Sequence, residues 1–207
     1  YRKDAAAQMS QAIERELDDL SMASARFSVD FQLKPHKDGL PLDGGMRAAF
    51  DAAGMDVVEF LIAPNPGEGL KPLVKIASGG ETSRLMLALK NVLVGADPIP
   101  TLIFDEIDQG IGGRVGSVVG EKLWRLGTRH QVFCVTHLPQ PAVFGDQHLH
   151  VYKQLADGRT LTKVEELAEE RRVDELAQML GGVNEANRSA ARSALEQAGR
   201  RSAELKS

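Results

Sequence analysis

The chain has 207 residues, 43% of them hydrophobic, which is enough to bury the core of one domain or slightly more. A formal net charge of −4 and a pI of about 5.8 exclude a globally basic surface, so contact with nucleic acid would need a local patch. The sequence has no apolar run of transmembrane length, and its single cysteine, Cys134, excludes an internal disulfide.

The first 25 residues show a helical hydrophobic period. Apolar residues recur at spacings of three or four, namely Ala5, Met9, Ile13, Leu17 and Leu20. The pattern predicts either a surface helix of this domain or the end of a coiled-coil strand that returns from a preceding region. Because Tyr1 already lies inside the pattern, we expect a fragment of a longer protein.

Residues 26–63 contain two predicted strands. Residues 26–33 alternate between apolar and polar side chains, as in a half-buried strand, and residues 56–63 form a second candidate. Residues 34–54 are rich in Gly, Pro and Asp, so they are predicted to be a loop or insertion.

From residue 71 onwards helical and strand patterns alternate. Helices are predicted at 78–94 and 113–126, and short apolar strands at 100–104 and 131–135. Two buried strands joined by a helix imply a parallel sheet of the βαβ kind.

The remainder of the chain is predicted to form a hairpin and two helices. The hairpin strands lie at 148–154 and 160–164, on either side of Ala156-Asp157-Gly158, and the helices at about 167–180 and 184–205. The last helix carries a basic cluster of Arg188, Arg192, Arg200, Arg201 and Lys206. This cluster is either a solvated charged face or a contact for a phosphate backbone.

Ser78-Gly79-Gly80-Glu81 opens the predicted helix at 78–94. Ser78 as N-cap and Glu81 three residues later match a capping box. The two glycines leave first-turn amides accessible to a close ligand, and the helix dipole adds an attraction for anions. The alternative is a helix that is simply well capped.

Two consecutive carboxylates, Asp105 and Glu106, follow the apolar strand at 100–104. At the carboxyl edge of a parallel sheet, one carboxylate can hold Mg²⁺ while the next orients or deprotonates water. The alternative is a strand that ends in an ordinary polar loop. A Gly-rich turn, residues 107–113, leads into the next helix.

His137 follows the strand at 131–135. If the two strands are neighbours in the sheet, His137 shares an edge with Asp105 and Glu106 and is a candidate contact for a γ-phosphate. Considered alone, the residue would be an ordinary surface or core histidine.

The order of these motifs resembles the second half of an ABC-type ATPase, with its signature motif, Walker B strand, D-loop and switch histidine. The signature motif reads Ser-Gly-Gly-Glu rather than the Ser-Gly-Gly-Gln of transporters, and in this it resembles the motif of SMC-like coiled-coil repair ATPases. The segments 65–68, 75–84, 104–113, 135–140 and 176–182 resemble the RecN family of bacterial SMC-like DNA repair ATPases. No G-x-x-x-x-G-K-[ST] phosphate-binding loop is present in the sequence.

The resemblance implies an α/β fold, the C-terminal lobe of an ABC-type ATPase head, with a mainly parallel sheet flanked by helices. Residues 26–207 would form this lobe, and residues 1–25 the end of a coiled-coil helix.

The resemblance also implies a composite ATP site between two heads in a homodimer. The N-terminal lobe of the same protein would supply the Walker A loop of each site. Ser78, Gly79, Gly80 and Glu81 would bind the ATP held by the opposing head.

Four further residues receive roles from the resemblance. Asp105 would help to bind Mg²⁺, Glu106 would be the general base, and His137 would contact the γ-phosphate. Asp108 would couple the two sites across the interface. Thr82 stands where the family often has Leu, which should tune packing only.

The resemblance thus implies an ATPase that acts in DNA double-strand break repair, is cytoplasmic and nucleoid-associated, and contacts DNA through the full-length protein. This chain alone should be inactive, because Walker A is absent. One alternative is a non-catalytic scaffold for dimerisation or DNA tethering, which Glu106 argues against. The other is a transporter nucleotide-binding domain, which Glu81 and the N-terminal helix argue against.

Overall fold

The computed structural model describes residues 1–75, 79–156 and 158–206. The chain divides into two compact units, residues 1–78 and residues 79–207. The first unit contains helix α1 (Arg2–Asp19) and strands β1 (Arg26–Leu33), β2 (Pro35–Pro41), β3 (Arg47–Ala48), β4 (Asp56–Ala63) and β5 (Lys71–Pro72).

Helix α1 packs on an antiparallel sheet with the strand order β1-β4-β5. Its second half buries Ile13 and Leu17 completely, whereas residues 2–11 are exposed or half-buried. The Phe27 N–H donates a hydrogen bond of 3.0 Å to Oε1 of Glu14, which fixes β1 to the helix. The second half of α1 therefore belongs to the core of this unit, and the end of a coiled-coil strand at residues 1–25 stays a prediction.

The prediction of a loop at residues 34–54 was wrong in part, because β2 and β3 pair there as antiparallel strands. Ala48 is fully buried at this pairing. A Cβ at Gly39 would collide with the carbonyl oxygen of Ala48, so the glycine permits a close approach between two strands. The composition of the segment predicted a loop or insertion, but at Gly39 the glycine allows two strands to pack closely.

The second unit contains nine helices and strands among the described residues. In chain order they are α2 (Gly79–Leu93), β6 (Thr101–Phe104), α3 (Gly113–Gly127), β7 (Gln131–Cys134), α4 (Pro139–Ala142), β8 (His148–Ala156), β9 (Arg159–Leu167), α5 (Glu169–Met179) and α6 (Glu185–Lys206).

Strands β6 and β7 are parallel neighbours, with Phe104 opposite Cys134, which confirms the predicted βαβ unit. Helix α3, which connects them, lies against β7 and α2. Both strands therefore end at the same edge. The other strand pairings in the described residues are antiparallel, so the parallel part of the fold is confined to this pair.

One face of the β6–β7 pair is buried and the other is not. Leu102 and Phe104 point into the unit, whereas Ile103 is 72% exposed and its cross-strand partner Phe133 is 42% exposed. Parallel sheets are normally covered on both faces. The described chain thus leaves an apolar sheet face uncovered.

Strands β8 and β9 form the predicted hairpin, which extends from the His148–Leu167 pair to the Ala156–Arg159 pair. Asp157, at its predicted turn, lies outside the described residues. Beyond the hairpin, α5 and α6 pack around Val173, Leu176 and Ala191. Among the described residues, no helix combines the length and apolar character needed to cross a bilayer.

The basic cluster of α6 is largely paired with carboxylates of the same unit. Its ion pairs are Arg188 with Asp174 at 2.6 Å, Arg192 with Glu170 at 2.8 Å, and Arg201 with Glu121 at 2.9 Å. This arrangement favours a solvated charged face over a phosphate contact.

Candidate functional site

The residues that follow β6 form a tight acidic turn, residues 105–109. The Gln109 N–H donates a hydrogen bond of 3.0 Å to the Glu106 carbonyl, and Ile107 is completely buried beneath the turn. The side chains of Asp105 and Glu106 are exposed. Glu106 has a φ of 55°, in the left-handed region that residues other than glycine rarely adopt. The turn thus presents two carboxylates to solvent at the carboxyl end of a parallel strand.

Asp108 joins the acidic turn to the loop after β7. Its side chain is only 4% exposed, and Oδ2 accepts hydrogen bonds from Thr136 Oγ1 at 2.5 Å and from the His137 N–H at 2.9 Å. The same oxygen lies 3.1 Å from Nδ1 of His137. One buried carboxylate therefore fixes the loop that carries the histidine.

In the described chain Asp108 connects two strand ends of its own unit. Its coupling role across an interface between two heads stays a prediction.

The His137 side chain is 75% exposed although its backbone is held by Asp108. Because β6 and β7 are parallel neighbours, the loops that bear Asp105, Glu106 and His137 leave the sheet at the same edge. The expected common edge is therefore present. The imidazole is open to a ligand outside this unit.

Helix α2 begins beside the acidic turn. Ser78, the expected N-cap, lies outside the described residues, so the structure does not test the capping box. Gly79 is exposed, and a Cβ there would collide with Oε2 of Glu106. Glu81 is half-buried in the first turn of the helix.

Gly80, in contrast, is buried against the acidic turn. Its N–H donates a hydrogen bond of 3.3 Å to Oε1 of Gln109, and a Cβ on it would lie 3.0 Å from the Gln109 carbonyl oxygen. The sequence predicted an open amide here. The helix start is therefore accessible at Gly79 and engaged within its own unit at Gly80.

Two side chains that the sequence did not single out tie α2 to the acidic turn. Ser83 Oγ donates a hydrogen bond of 2.6 Å to the Asp105 carbonyl, and Arg84 Nη1 donates one of 2.9 Å to the Gln109 carbonyl. The available signal was the helical spacing, because Arg84 lies four residues after Gly80 and four before Ala88, on the buried side of the helix.

The acidic turn also affects Cys134, at the end of β7. Burial, followed by the negative charges of Asp108 and Asp105, raises the pKa of the thiol to about 12. The neutral thiol is therefore the favoured form at neutral pH.

Among the described residues, no group of three or more His, Cys, Asp or Glu side chains is assembled to hold a metal ion. The exposed carboxylate of Asp105 nevertheless suits Mg²⁺, which is usually held by one or two carboxylates together with substrate phosphates and water. The residues present can thus supply part of a magnesium site.

Comparison with known proteins finds close relatives over most of the chain. The chain is 41% identical to the DNA repair protein RecN of Bacillus subtilis (strain 168) over 184 residues. The alignment covers 88% of the chain and 32% of that protein. The chain is 44% identical to the DNA repair protein RecN of Mycobacterium leprae (strain TN) over 195 residues. The alignment covers 90% of the chain and 32% of that protein. The chain spans about a third of the length of these relatives. No protein-family model matches it.

The fold is similar to that of a solved SMC head. The Smc head domain with a coiled coil and joint from Pyrococcus yayanosii superposes with a TM-score of 0.50 at 19% identity, which covers 86% of the chain and 29% of that structure. At this identity the likeness establishes the fold alone, the α/β fold of an ABC-type ATPase head.

Proposed function

Because this chain is homologous to the RecN proteins over most of its length, we propose that it is the C-terminal lobe of an ATP-hydrolysing head in an SMC-like protein of DNA double-strand break repair. The observation that carries the proposal is the direct link from the acidic turn to His137 through Asp108. It places two exposed carboxylates and an exposed imidazole at one edge of a parallel strand pair.

Each group at this edge has chemistry that suits phosphoryl transfer to water. Mg²⁺ bound with ATP would neutralise charge on the phosphates, and Asp105 would hold that ion directly or through water. Glu106 would accept a proton from the attacking water, and His137 would donate a hydrogen bond to a γ-phosphate oxygen. Asp108 would keep the histidine loop in place.

The site would be completed by other parts of the intact protein. This sequence has no phosphate-binding loop, and the uncovered face of the β6–β7 pair, at Ile103 and Phe133, is a fitting surface for the lobe that carries one. The motif Ser78-Gly79-Gly80-Glu81, whose Gly79 is exposed at the start of α2, would face the ATP of a second head in a homodimer.

The remaining parts of the proposal concern the whole protein. Residues 1–25 would be the end of a coiled-coil helix, and residues 26–207 the lobe. DNA would be contacted through the full-length protein, in the cytoplasm and at the nucleoid.

The deciding experiment compares full-length protein with its Glu106→Gln variant. Loss of a general base should lower the rate of ATP hydrolysis roughly 10²- to 10⁴-fold, whereas binding of a fluorescent ATP analogue should persist. Glu196→Gln, at an exposed position on α6, is the matched control. Unchanged turnover in the Glu106→Gln protein would instead favour a non-catalytic scaffold.

A further inference from the structure

Helix α2 holds the acidic turn on both sides of Glu106. Before Glu106, the Asp105 carbonyl accepts a hydrogen bond from Ser83 Oγ at 2.6 Å. After it, the Gln109 and Ile107 carbonyls accept hydrogen bonds from Arg84 Nη1 at 2.9 Å and 3.5 Å. The main chain that carries the carboxylate is therefore attached to the helix at either end.

Burying the charged side chain of Arg84 at this position is energetically unfavourable. It is only 8% exposed, and its Nε is buried with no hydrogen-bond partner among the described residues. Burial lowers the pKa of the guanidinium below its usual value, and the Glu81 carboxylate opposes that shift. The carbonyls that accept its hydrogen bonds carry no formal charge to offset that of the guanidinium, so these bonds come at the cost of burying a charged group. The contribution of the guanidinium is thus to hold the main chain of the acidic turn in place.

The geometry that needs support is the backbone of Glu106. A left-handed φ of 55° at a glutamate is unfavourable by itself, and such a conformation persists only where its surroundings fix it. The two carbonyls that Arg84 binds belong to the residues that close the turn. Without the guanidinium, the turn can relax toward an ordinary conformation and turn the carboxylate away.

We propose that Arg84 is a positioning residue for Glu106, which it acts on through the carbonyls of Ile107 and Gln109. The proposal rests on the function proposed above, in which Glu106 is the general base. It further means that the start of α2, where a second head's ATP would bind, and the base of the lobe's own site are parts of one hydrogen-bonded element.

Hydrogen exchange on the full-length protein tests the structural half of this proposal. In an Arg84→Met variant, the amides of Gln109 and Ile111, which donate hydrogen bonds to the Glu106 and Asp108 carbonyls of the turn, should exchange faster than in the protein without substitution. Amides of α5 and α6 should keep their exchange rates. Arg200→Met, at an exposed position of α6, is the control and should change neither group.

Steady-state kinetics test the catalytic half. Misplacing a catalytic group should lower kcat for ATP roughly 10- to 100-fold in the Arg84→Met protein, with the KM for ATP changed by no more than about threefold, because binding contacts remain. Arg84→Lys retains a donor that can reach a carbonyl, so it should recover part of the lost kcat. If Arg84→Met does not fold, Ser83→Ala removes the hydrogen bond on the other side of Glu106 and should show a smaller change of the same kind.

Unchanged exchange in the turn, or faster exchange with unchanged kcat, would overturn the proposal. Faster exchange throughout the protein would overturn it as well, since Arg84 would then act on general stability. Failure of the proposed function looks different, because the unchanged full-length protein would then show no ATP hydrolysis. In that case the role in catalysis falls, and the exchange data show separately whether Arg84 orders the turn.

Discussion

Oδ2 of Asp108 lies 3.1 Å from Nδ1 of His137 and also accepts the hydrogen bond of the His137 N–H at 2.9 Å. A single carboxylate oxygen thereby connects the loops that follow two neighbouring parallel strands. The connection lies within one unit.

Replacing Asp108 with Ala should destabilise the protein. The Thr136 hydroxyl and the His137 N–H would lose their acceptor in a nearly closed site, which costs about 1–3 kcal/mol of unfolding free energy. Urea unfolding of the 207-residue chain measures the change. Asp43→Ala, at an exposed position, is the control and should stay within about 0.5 kcal/mol of the unchanged chain. Equal effects of the two substitutions would contradict a structural role for the Asp108 carboxylate.

Two helical glycines should respond in opposite ways to alanine. Gly199, in α6, has nothing within 4 Å of a built Cβ, so Gly199→Ala should stabilise the chain by about 0.5–1 kcal/mol through helix propensity. At Gly80 the added methyl group would press on Gln109, and overpacking costs about 1–3 kcal/mol, which cancels or exceeds the same gain. Urea unfolding of both variants checks the difference. Equal stabilisation by both would show that the acidic turn does not pack on α2.

Cys134 should make the unfolding free energy depend on pH at alkaline values. Its folded pKa is raised from 9.0 to about 12, so the folded state favours the neutral thiol. The contribution is fully present below pH 9 and is lost as the pH rises toward 12, because the unfolded chain releases its proton first. Subtracting the pH profile of a Cys134→Ala variant isolates this effect from other groups. Rapid alkylation of Cys134 in the folded chain at pH 8 would argue against a raised pKa.

The uncovered face of the β6–β7 pair gives a prediction on lobe association. Ile103→Thr should change the unfolding free energy of the isolated chain by less than about 0.5 kcal/mol, because the side chain is largely exposed there. In the full-length protein the same substitution should lower stability and ATP hydrolysis, since a polar group would enter an apolar contact. Val183→Thr, at another exposed apolar position, is the control. Equal effects of Ile103→Thr in both settings would mean that no lobe covers this face.

The chain alone should hydrolyse no ATP, and the Walker A lobe of the same protein should restore hydrolysis when it is added. This sequence contains no phosphate-binding loop, so in the proposed composite site that loop would come from the other lobe. A coupled assay for ADP release, with and without the added lobe, measures the outcome. Substantial turnover by the chain alone would contradict a composite site.

The edge that holds the candidate site was predictable because its determinants are local. An apolar strand that ends in Asp105-Glu106, and a second that leads to His137, need only be parallel neighbours to place these residues together. The hydrogen bonds from Ser83 and Arg84 to the acidic turn were not predictable, because they join residues that are more than 20 positions apart and depend on side-chain geometry. The inward direction of Asp108 has the same origin. The spacing of residues in a sequence does not indicate whether a carboxylate side chain points into its own domain or out to solvent.

The left-handed backbone at Glu106 lowers the stability of the lobe, whereas the proposed function requires the Glu106 carboxylate at that position. Asparagine and glycine adopt this conformation more readily than glutamate does, so either substitution is expected to make the lobe more resistant to heat. A thermostability screen that ignores turnover would thus tend to discard the carboxylate first. Substitutions that raise the thermal stability of this lobe should therefore be sought at positions other than 106.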